Sequence, residues 1–236
     1  KSYIRQKEKS AEKAHILSEV RHFEADISEQ FLLSEIEKIN NDKDIHGVIV
    51  QLPLPDHISV TKVLRTIAPE KDVDGFTPYN IGKLFLNEPT LECCTPKGII
   101  SMLDQSNIEI SGKKAVVIGR SNIVGKPVAI LLTNKGATVT ICHSRTKDLK
   151  SEISRADILI VAIGKAEFIK GSWIPRGCTV IDVGMNKKED GKLCGDVEFD
   201  VAVQRAAHIS PVPRGVGPMT VVSLIENTIQ AAERSI

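Results

Sequence analysis

The chain has no apolar run near the roughly 20 residues that a membrane-spanning helix needs, and its opening KSYIRQKEKSAEK lacks the pattern of a secretory signal. Its 31 basic and 30 acidic residues leave a formal charge of +1, so no surplus of either sign argues for nucleic acid or a membrane surface. The five cysteines (Cys93, Cys94, Cys142, Cys178, Cys194) contain no C-x-x-C pair. An odd count without a secretion signal predicts reduced thiols and a cytoplasmic location. Six histidines are scattered with no H-x-x-x-H spacing, so no metal site is expected. Internal repeats and low-complexity tracts are also missing. The first residue is Lys1 rather than methionine and the chain opens inside a charged helical pattern, so the native start is expected to lie upstream.

What is present is ordinary globular composition, 42% hydrophobic and 26% charged over 236 residues, enough for one large domain or two small ones. Ala115–Thr146, AVVIGRSNIVGKPVAILLTNKGATVTICHSRT, is the most informative stretch. Ala115–Ile118 suits a strand buried on both faces. Gly119 and Gly125 bracket a turn into an apolar helix, Pro127–Leu132, with Gly136 closing it and Thr138–Cys142 as the next parallel strand. In such a βαβ unit the glycines let the backbone approach a pyrophosphate on the helix N-terminus. An Asp or Glu after the second strand would bind a ribose 2′-hydroxyl, but here stand His143, Ser144, Arg145 and Thr146. Hydroxyls and a guanidinium suit a 2′-phosphate, which predicts NADP rather than NAD. Arg120, with Ser121 and Val124 on the turn, supplies a second candidate phosphate contact. The spacing is G-x-S-x-x-x-G, and a plain strand-to-helix turn is the competing reading.

Strand and helix signals alternate along the whole length. Helices are expected over Ser2–Ser18, Glu29–Asn40 (capped by Ser28), Ser59–Ile67, Lys97–Asp104 and Val221–Arg234. Strands are expected at Phe23–Ala25, His46–Leu52, Asp157–Ala162 (closed by Gly164) and Thr179–Val183 (closed by Gly184). Ala68–Pro96 reads as a long functional loop. The pattern predicts an α/β protein of two lobes with a cleft between them. One is a Rossmann-like parallel-sheet NADP domain over 97–217, to which Gly164 and Gly184 contribute. The other is an α/β catalytic domain over 1–96, completed by the C-terminal helix at 218–236.

Tyr3 and Lys7 form Y-x-x-x-K, which on a helix places phenol and ammonium on one face. A solvated helix face is the plainer reading. Short-chain dehydrogenases use this pair after their cofactor turn, whereas here it precedes the turn, and that order excludes them. Gln51 ends a parallel-type strand, where ligands of α/β proteins bind, or simply caps it. Asp72 and Asp74 in KDVDG either face a ligand or form a tight Asp-Gly turn. PVPRGVGPMT at 211–220 stiffens a loop that must bring its backbone close to something.

YIRQK at 3–7, VQLPLP at 50–55, PEKDVDGF at 69–76, CTPKG at 94–98, GRSNIVGKP at 119–127, CHSRT at 142–146 and PVPRGVGPMT together resemble the bifunctional methylenetetrahydrofolate dehydrogenase/cyclohydrolase family over essentially the full chain. The resemblance implies a homodimer that oxidises 5,10-methylenetetrahydrofolate with NADP and hydrolyses the product to 10-formyltetrahydrofolate. Lys7 matches the lysine of the cyclohydrolase step, Tyr3 the residue stacked near the folate, Gln51 the glutamine that bonds that lysine, and Asp74 the aspartate that holds the pterin. Leu52, Pro53, Pro213 and Gly215 fall in folate-bordering segments, and Gly217 lies in the same loop. Arg120, Ser121, Ser144 and Arg145 fall in the NADP segments, with Ser144 and Arg120 the expected 2′-phosphate ligands. One departure stands out: Arg214 replaces a glycine of the family's PVPGGVGP. Positive φ there would make arginine costly; otherwise Arg214 reaches the acidic tail of the folate or a cofactor phosphate. Two alternatives compete with this assignment: an NADP-dependent oxidoreductase of another small substrate, and a folate-binding relative without turnover.

Overall fold

The computed structural model describes residues 2–235, with side chains from Ile4 to Ser235. In chain order its elements are α1 (Ser2–Lys13), α2 (Glu29–Asn41), α3 (Val60–Thr66), α4 (Pro78–Phe85), α5 (Cys94–Gln105), β1 (Lys114–Ile118), α6 (Gly125–Asn134), β2 (Thr138–Cys142) and α7 (Leu149–Ile153). There follow β3 (Ile158–Val161), β4 (Thr179–Asp182), β5 (Asn186–Lys187), β6 (Leu193–Cys194), α8 (Phe199–Ala202), β7 (His208–Ile209) and α9 (Val216–Glu233). The chain divides into two compact units, Lys1–Cys94 with Val221–Ile236, and Thr95–Thr220.

In the first unit, Ser28 Oγ accepts the N–H of Phe31 at 3.1 Å and starts α2, which lays Leu32 and Ile36 against Ile58, Val63 and Ile67. Each such burial contributes about 1.5–3 kcal/mol. The strand expected at His46–Leu52 shrinks to one parallel bridge, Val48 to Asp72, with Val48 N–H donating to Lys71 O at 2.8 Å. Its side chains still alternate as in a strand. Val48 and Val50 pack on the α2–α3 cluster, while Ile49 packs on Val73, Leu91, Cys94, Leu224 and Ala231. An apolar run therefore signals burial on two sides, and not a continuous ladder. No strand forms at Phe23–Ala25; Phe23 meets the Phe31 ring edge-on at 5.6 Å.

Ala68–Pro96 is not a long loop. Thr77 Oγ1 accepts the N–H of Asn80 and Pro78 begins α4, a capped helix start. The Asp72 carboxylate accepts N–H groups of Phe76 (3.1 Å) and Thr77 (2.7 Å) and the Asn80 amide (2.9 Å). Asn80 Oδ1 accepts from Thr90 at 2.7 Å. A buried polar network thus holds the segment that composition alone made look irregular. At the ends, α1 stops at Lys13 rather than Ser18, and α9 starts at Val216, inside the glycine–proline motif. Pro218 is tolerated there because a first helical turn needs no intrahelical donor.

The second unit is built on a parallel sheet in the order β2-β1-β3-β4-β7. β1, β3 and β4 are buried almost throughout, and Val116, Ile118, Leu159, Val161 and Val180 form the core with Ile153, Ile169, Ile174 and Val197. The strand order reverses at β1: the chain moves outward to β2, then returns to lay β3 on β1's other side. The crevice outside the carboxyl ends of β1 and β3 is thus the topological switch point. Ile118 pairs with Cys142 and with Val161, and Val161 with Asp182, so Gly119, His143, Ala162 and Val183 leave the sheet at one level.

Candidate functional site

Gly119 turns out of β1 at φ +121, and a Cβ there would lie 2.2 Å from the carbonyl oxygen of Ala162. A Cβ on Gly125 would lie 2.3 Å from Gly119 O. Only glycine fits either place, so the turn after β1 and the chain leaving β3 run in direct contact. Ser121 Oγ accepts the N–H groups of Val124 and Gly125, both at 3.2 Å, and Ser121 O accepts that of Lys126 at 3.0 Å. Pro127 has no N–H. The first turn of α6 is therefore satisfied internally, against the expectation that its terminus offers free donors. The backbone N–H groups of Arg120, Ser121, Asn122 and Ile123 have no protein acceptor among the described residues. They, with the exposed Arg120 side chain, are the donors left for a phosphate.

Past β2, His143 N–H donates to Thr146 Oγ1 at 2.9 Å, and Arg145 N–H donates to His143 Nδ1 at 3.1 Å, which puts the ring proton on Nε2. His143 and Thr146 thus shape the turn, and they leave Ser144 and Arg145 exposed beside it. The four residues that follow β2, His143–Thr146, include no carboxylate, although Glu152 on α7 acts on Cys142 at the strand's end. These residues fit a 2′-phosphorylated dinucleotide: glycine cradles that a Cβ would fill, unspent amides, and Ser144 and Arg145 where an Asp or Glu would bind a ribose hydroxyl.

Gly164 (φ +64) and Gly184 sit in loops after β3 and β4. Both loops are organised by two buried aspartates that sequence reasoning missed, Asp182 and Asp196. Asp182 accepts N–H groups of Gly184, Asp196 and Val197, each at 2.9 Å, while burial raises its pKa to about 6. An aspartate inside the apolar run TVIDV was the available signal. Residues 182–185 and 211–217 line a shallow recess. Here Gly215 is buried with its Cβ position 2.4 Å from Pro211 O, Pro213 is exposed, and Arg214 has φ +78. The arginine thus occupies the left-handed conformation that the sequence pattern anticipated as costly.

In the first unit, Lys7 lies half-buried on α1, and the Tyr3 side chain falls outside the described residues. The Lys7 charge acts on Asp74, whose pKa is raised by burial and by Asp72 and lowered by Lys7 and by a hydrogen bond from Cys94. Gln51 is exposed and its amide donates to Leu52 O at 2.9 Å; Leu52 is half-buried and Pro53 exposed. Of the KDVDG pair, Asp72 is the structural carboxylate described above, and Asp74 is the one set against Lys7. Among the described residues, no group of three or more His, Cys, Asp or Glu is arranged to hold a metal, and no helix is long and apolar enough to cross a membrane.

A parallel α/β sheet with a glycine turn at its switch point defines a dinucleotide-binding protein. Comparison makes this specific. Residues 93–236 match the model of the tetrahydrofolate dehydrogenase/cyclohydrolase NAD(P)-binding domain, and residues 1–74 match that of the catalytic domain of the same family. The chain belongs to the tetrahydrofolate dehydrogenase/cyclohydrolase family. It is 54% identical over 235 residues to the bifunctional protein FolD of Bacillus licheniformis, covering 100% of this chain and 83% of that one. Among solved structures it is similar to the bifunctional FolD dehydrogenase/cyclohydrolase of Campylobacter jejuni, with TM-score 0.98, 44% identity, and 100% and 84% of the two chains covered. The Trypanosoma brucei FolD, solved with NADP and an inhibitor, is similar with TM-score 0.94 and 40% identity over 99% of this chain and 82% of that one.

Proposed function

We propose that this chain oxidises 5,10-methylenetetrahydrofolate to the 5,10-methenyl compound with NADP and hydrolyses that product to 10-formyltetrahydrofolate. The observation that carries the reading is the glycine turn at the switch point beside the exposed Ser144 and Arg145 after β2. Membership of the family and the NADP complex of the trypanosomal relative support it. NADP, when bound, supplies the hydride acceptor. The chain's part is to hold the donor against it, since the folate nitrogens already stabilise the cation formed. The amides of Arg120–Ile123 hold the pyrophosphate, and Ser144 with Arg120 takes the 2′-phosphate, beside Arg145. In the second step Lys7 moves the proton of the attacking water, Gln51 orients Lys7 without adding charge, and Asp74 holds the pterin ring. Leu52 and Pro53 border the folate. The same reading makes the protein a cytoplasmic homodimer that supplies one-carbon units for purine biosynthesis.

The test is a spectrophotometric assay with 5,10-methylenetetrahydrofolate and either NADP or NAD, on wild type and Lys7→Met. NADP reduction without accumulation of the methenyl compound is expected of the wild type. Lys7→Met is expected to reduce NADP yet accumulate that compound, and retention of most cyclohydrolase activity would refute the role given to Lys7.

A further inference from the structure

We propose that Asp196, which lies outside every segment assigned above, is the positioning residue that sets the cofactor-side loop after β3. Its Oδ2 accepts the N–H groups of Ile163 (2.7 Å) and Gly164 (3.0 Å), and its Oδ1 accepts that of Lys165 (2.7 Å) and the Asn186 amide (2.8 Å). Three consecutive backbone donors therefore converge on one buried carboxylate, a nest in which the anion is the protein's own. That loop begins where Ala162 leaves β3, and Ala162 O is the atom that forces residue 119 to be glycine. Displacing residues 163–165 displaces the wall on which the glycine turn rests.

The carboxylate is itself held. Its backbone N–H donates to Asp182 Oδ1 and that of Val197 to Asp182 Oδ2, both at 2.9 Å. Glycine is required on either side of the pair, because a Cβ on Gly184 would lie 2.3 Å from Asp196 Oδ1 and one on Gly195 1.9 Å from Asp182 Oδ2. The chain of contacts runs from β4 through Asp182 to Asp196 and on to the end of β3. One consequence is chemical: the amides of residues 163–165 are spent on Asp196, so this loop cannot cradle a phosphate. It offers the crevice its carbonyls and side chains, and the phosphates fall to Arg120–Ile123.

The proposal rests on the placement of NADP over the Gly119–Gly125 turn, and the experiment separates the two. Asp196→Asn keeps the shape but sets an NH2 donor against N–H donors. In the full-length protein it is expected to raise the KM for NADP about tenfold while the cyclohydrolase, assayed on the methenyl compound without NADP, stays within about twofold. Asn186→Ala removes one donor and leaves Asp196 intact, with an expected rise of about two- to threefold. A wild-type NADP KM in both variants, or equal loss of both activities in either, overturns the proposal. If Asp196→Asn does not fold, Asn186→Ala decides alone by the same criterion. Ser144→Ala run alongside locates a failure. If it raises the NADP KM while the Asp196 and Asn186 variants do not, only the positioning role falls. If it too leaves the KM unchanged, the cofactor placement falls with it.

Discussion

The side-chain amide of Asn227, on α9, donates to the carbonyl oxygen of Val73 at 2.9 Å, and Cys94 Sγ donates to the same oxygen at 3.2 Å. That carbonyl belongs to the peptide leading into Asp74. A second bond from Asn227 reaches Glu92 O at 2.7 Å. A buried residue near the end of the chain thus fixes the backbone that aims the carboxylate facing Lys7. Asn227→Ala removes the amide that bonds Val73 O and Glu92 O, leaving Cys94 Sγ on Val73 O, and is expected to cost about 1–2 kcal/mol in urea unfolding. It should also raise the KM for folate while leaving that for NADP unchanged. Equal stability of variant and wild type would contradict this account.

Gly119→Ala addresses the other unit. The added methyl meets Ala162 O at 2.2 Å in a backbone at φ +121, so the turn must open. Dehydrogenase kcat/KM is expected to fall by about 100-fold or more, the equivalent of nearly 3 kcal/mol. Cyclohydrolase activity should persist, since Lys7 and Asp74 belong to the first unit. Parallel loss of both activities would show that residue 119 serves the fold and not the cofactor.

The parts of this architecture legible in the sequence were those set by local chemistry. Buried strands carry unbroken apolar runs, and Gly119 and Gly136 mark turns at positive φ. The cap at Ser28 is a hydroxyl before an apolar-periodic segment. α4 was missed although Thr77-Pro78 is a helix start, because the prolines and aspartates around it weighed as loop. The His46–Leu52 run was read as a full strand because periodicity reports which side chains are buried, not which backbone groups find a ladder. Asp182 and Asp196 escaped because their partners are backbone amides up to 33 residues away, and no spacing rule encodes that.

Arg214 carries a testable strain. At φ +78 a residue with a Cβ sits where glycine is at ease, and its side chain is exposed with nothing to gain from packing. Arg214→Gly is expected to stabilise the protein by about 1 kcal/mol in chemical denaturation, the relieved left-handed strain outweighing the added unfolded-state entropy. The Michaelis constants assign its function. A higher KM for folate in the glycine variant means the guanidinium reaches the acidic tail, and a higher KM for NADP means it reaches a cofactor phosphate. Unchanged constants for both would remove Arg214 from the site.

Asp182 makes stability depend on pH in an unusual direction. Burial raises its pKa from 3.8 to about 6, against the opposing pull of three backbone N–H donors. An acid whose folded pKa is raised binds its proton more tightly folded than unfolded. Its contribution is therefore complete below about 4 and is lost as pH rises through about 6, a swing of about 3 kcal/mol. Other carboxylates titrate over the same range, so the comparison must be made with Asp182→Asn, which lacks this proton. The asparagine sets an NH2 against N–H donors and is less stable at every pH. Its deficit relative to wild type should shrink by about 2 kcal/mol between pH 4 and pH 7. Urea unfolding of both proteins across that range measures the deficit directly, and a gap that does not change with pH would mean that the Asp182 carboxyl titrates at its ordinary value.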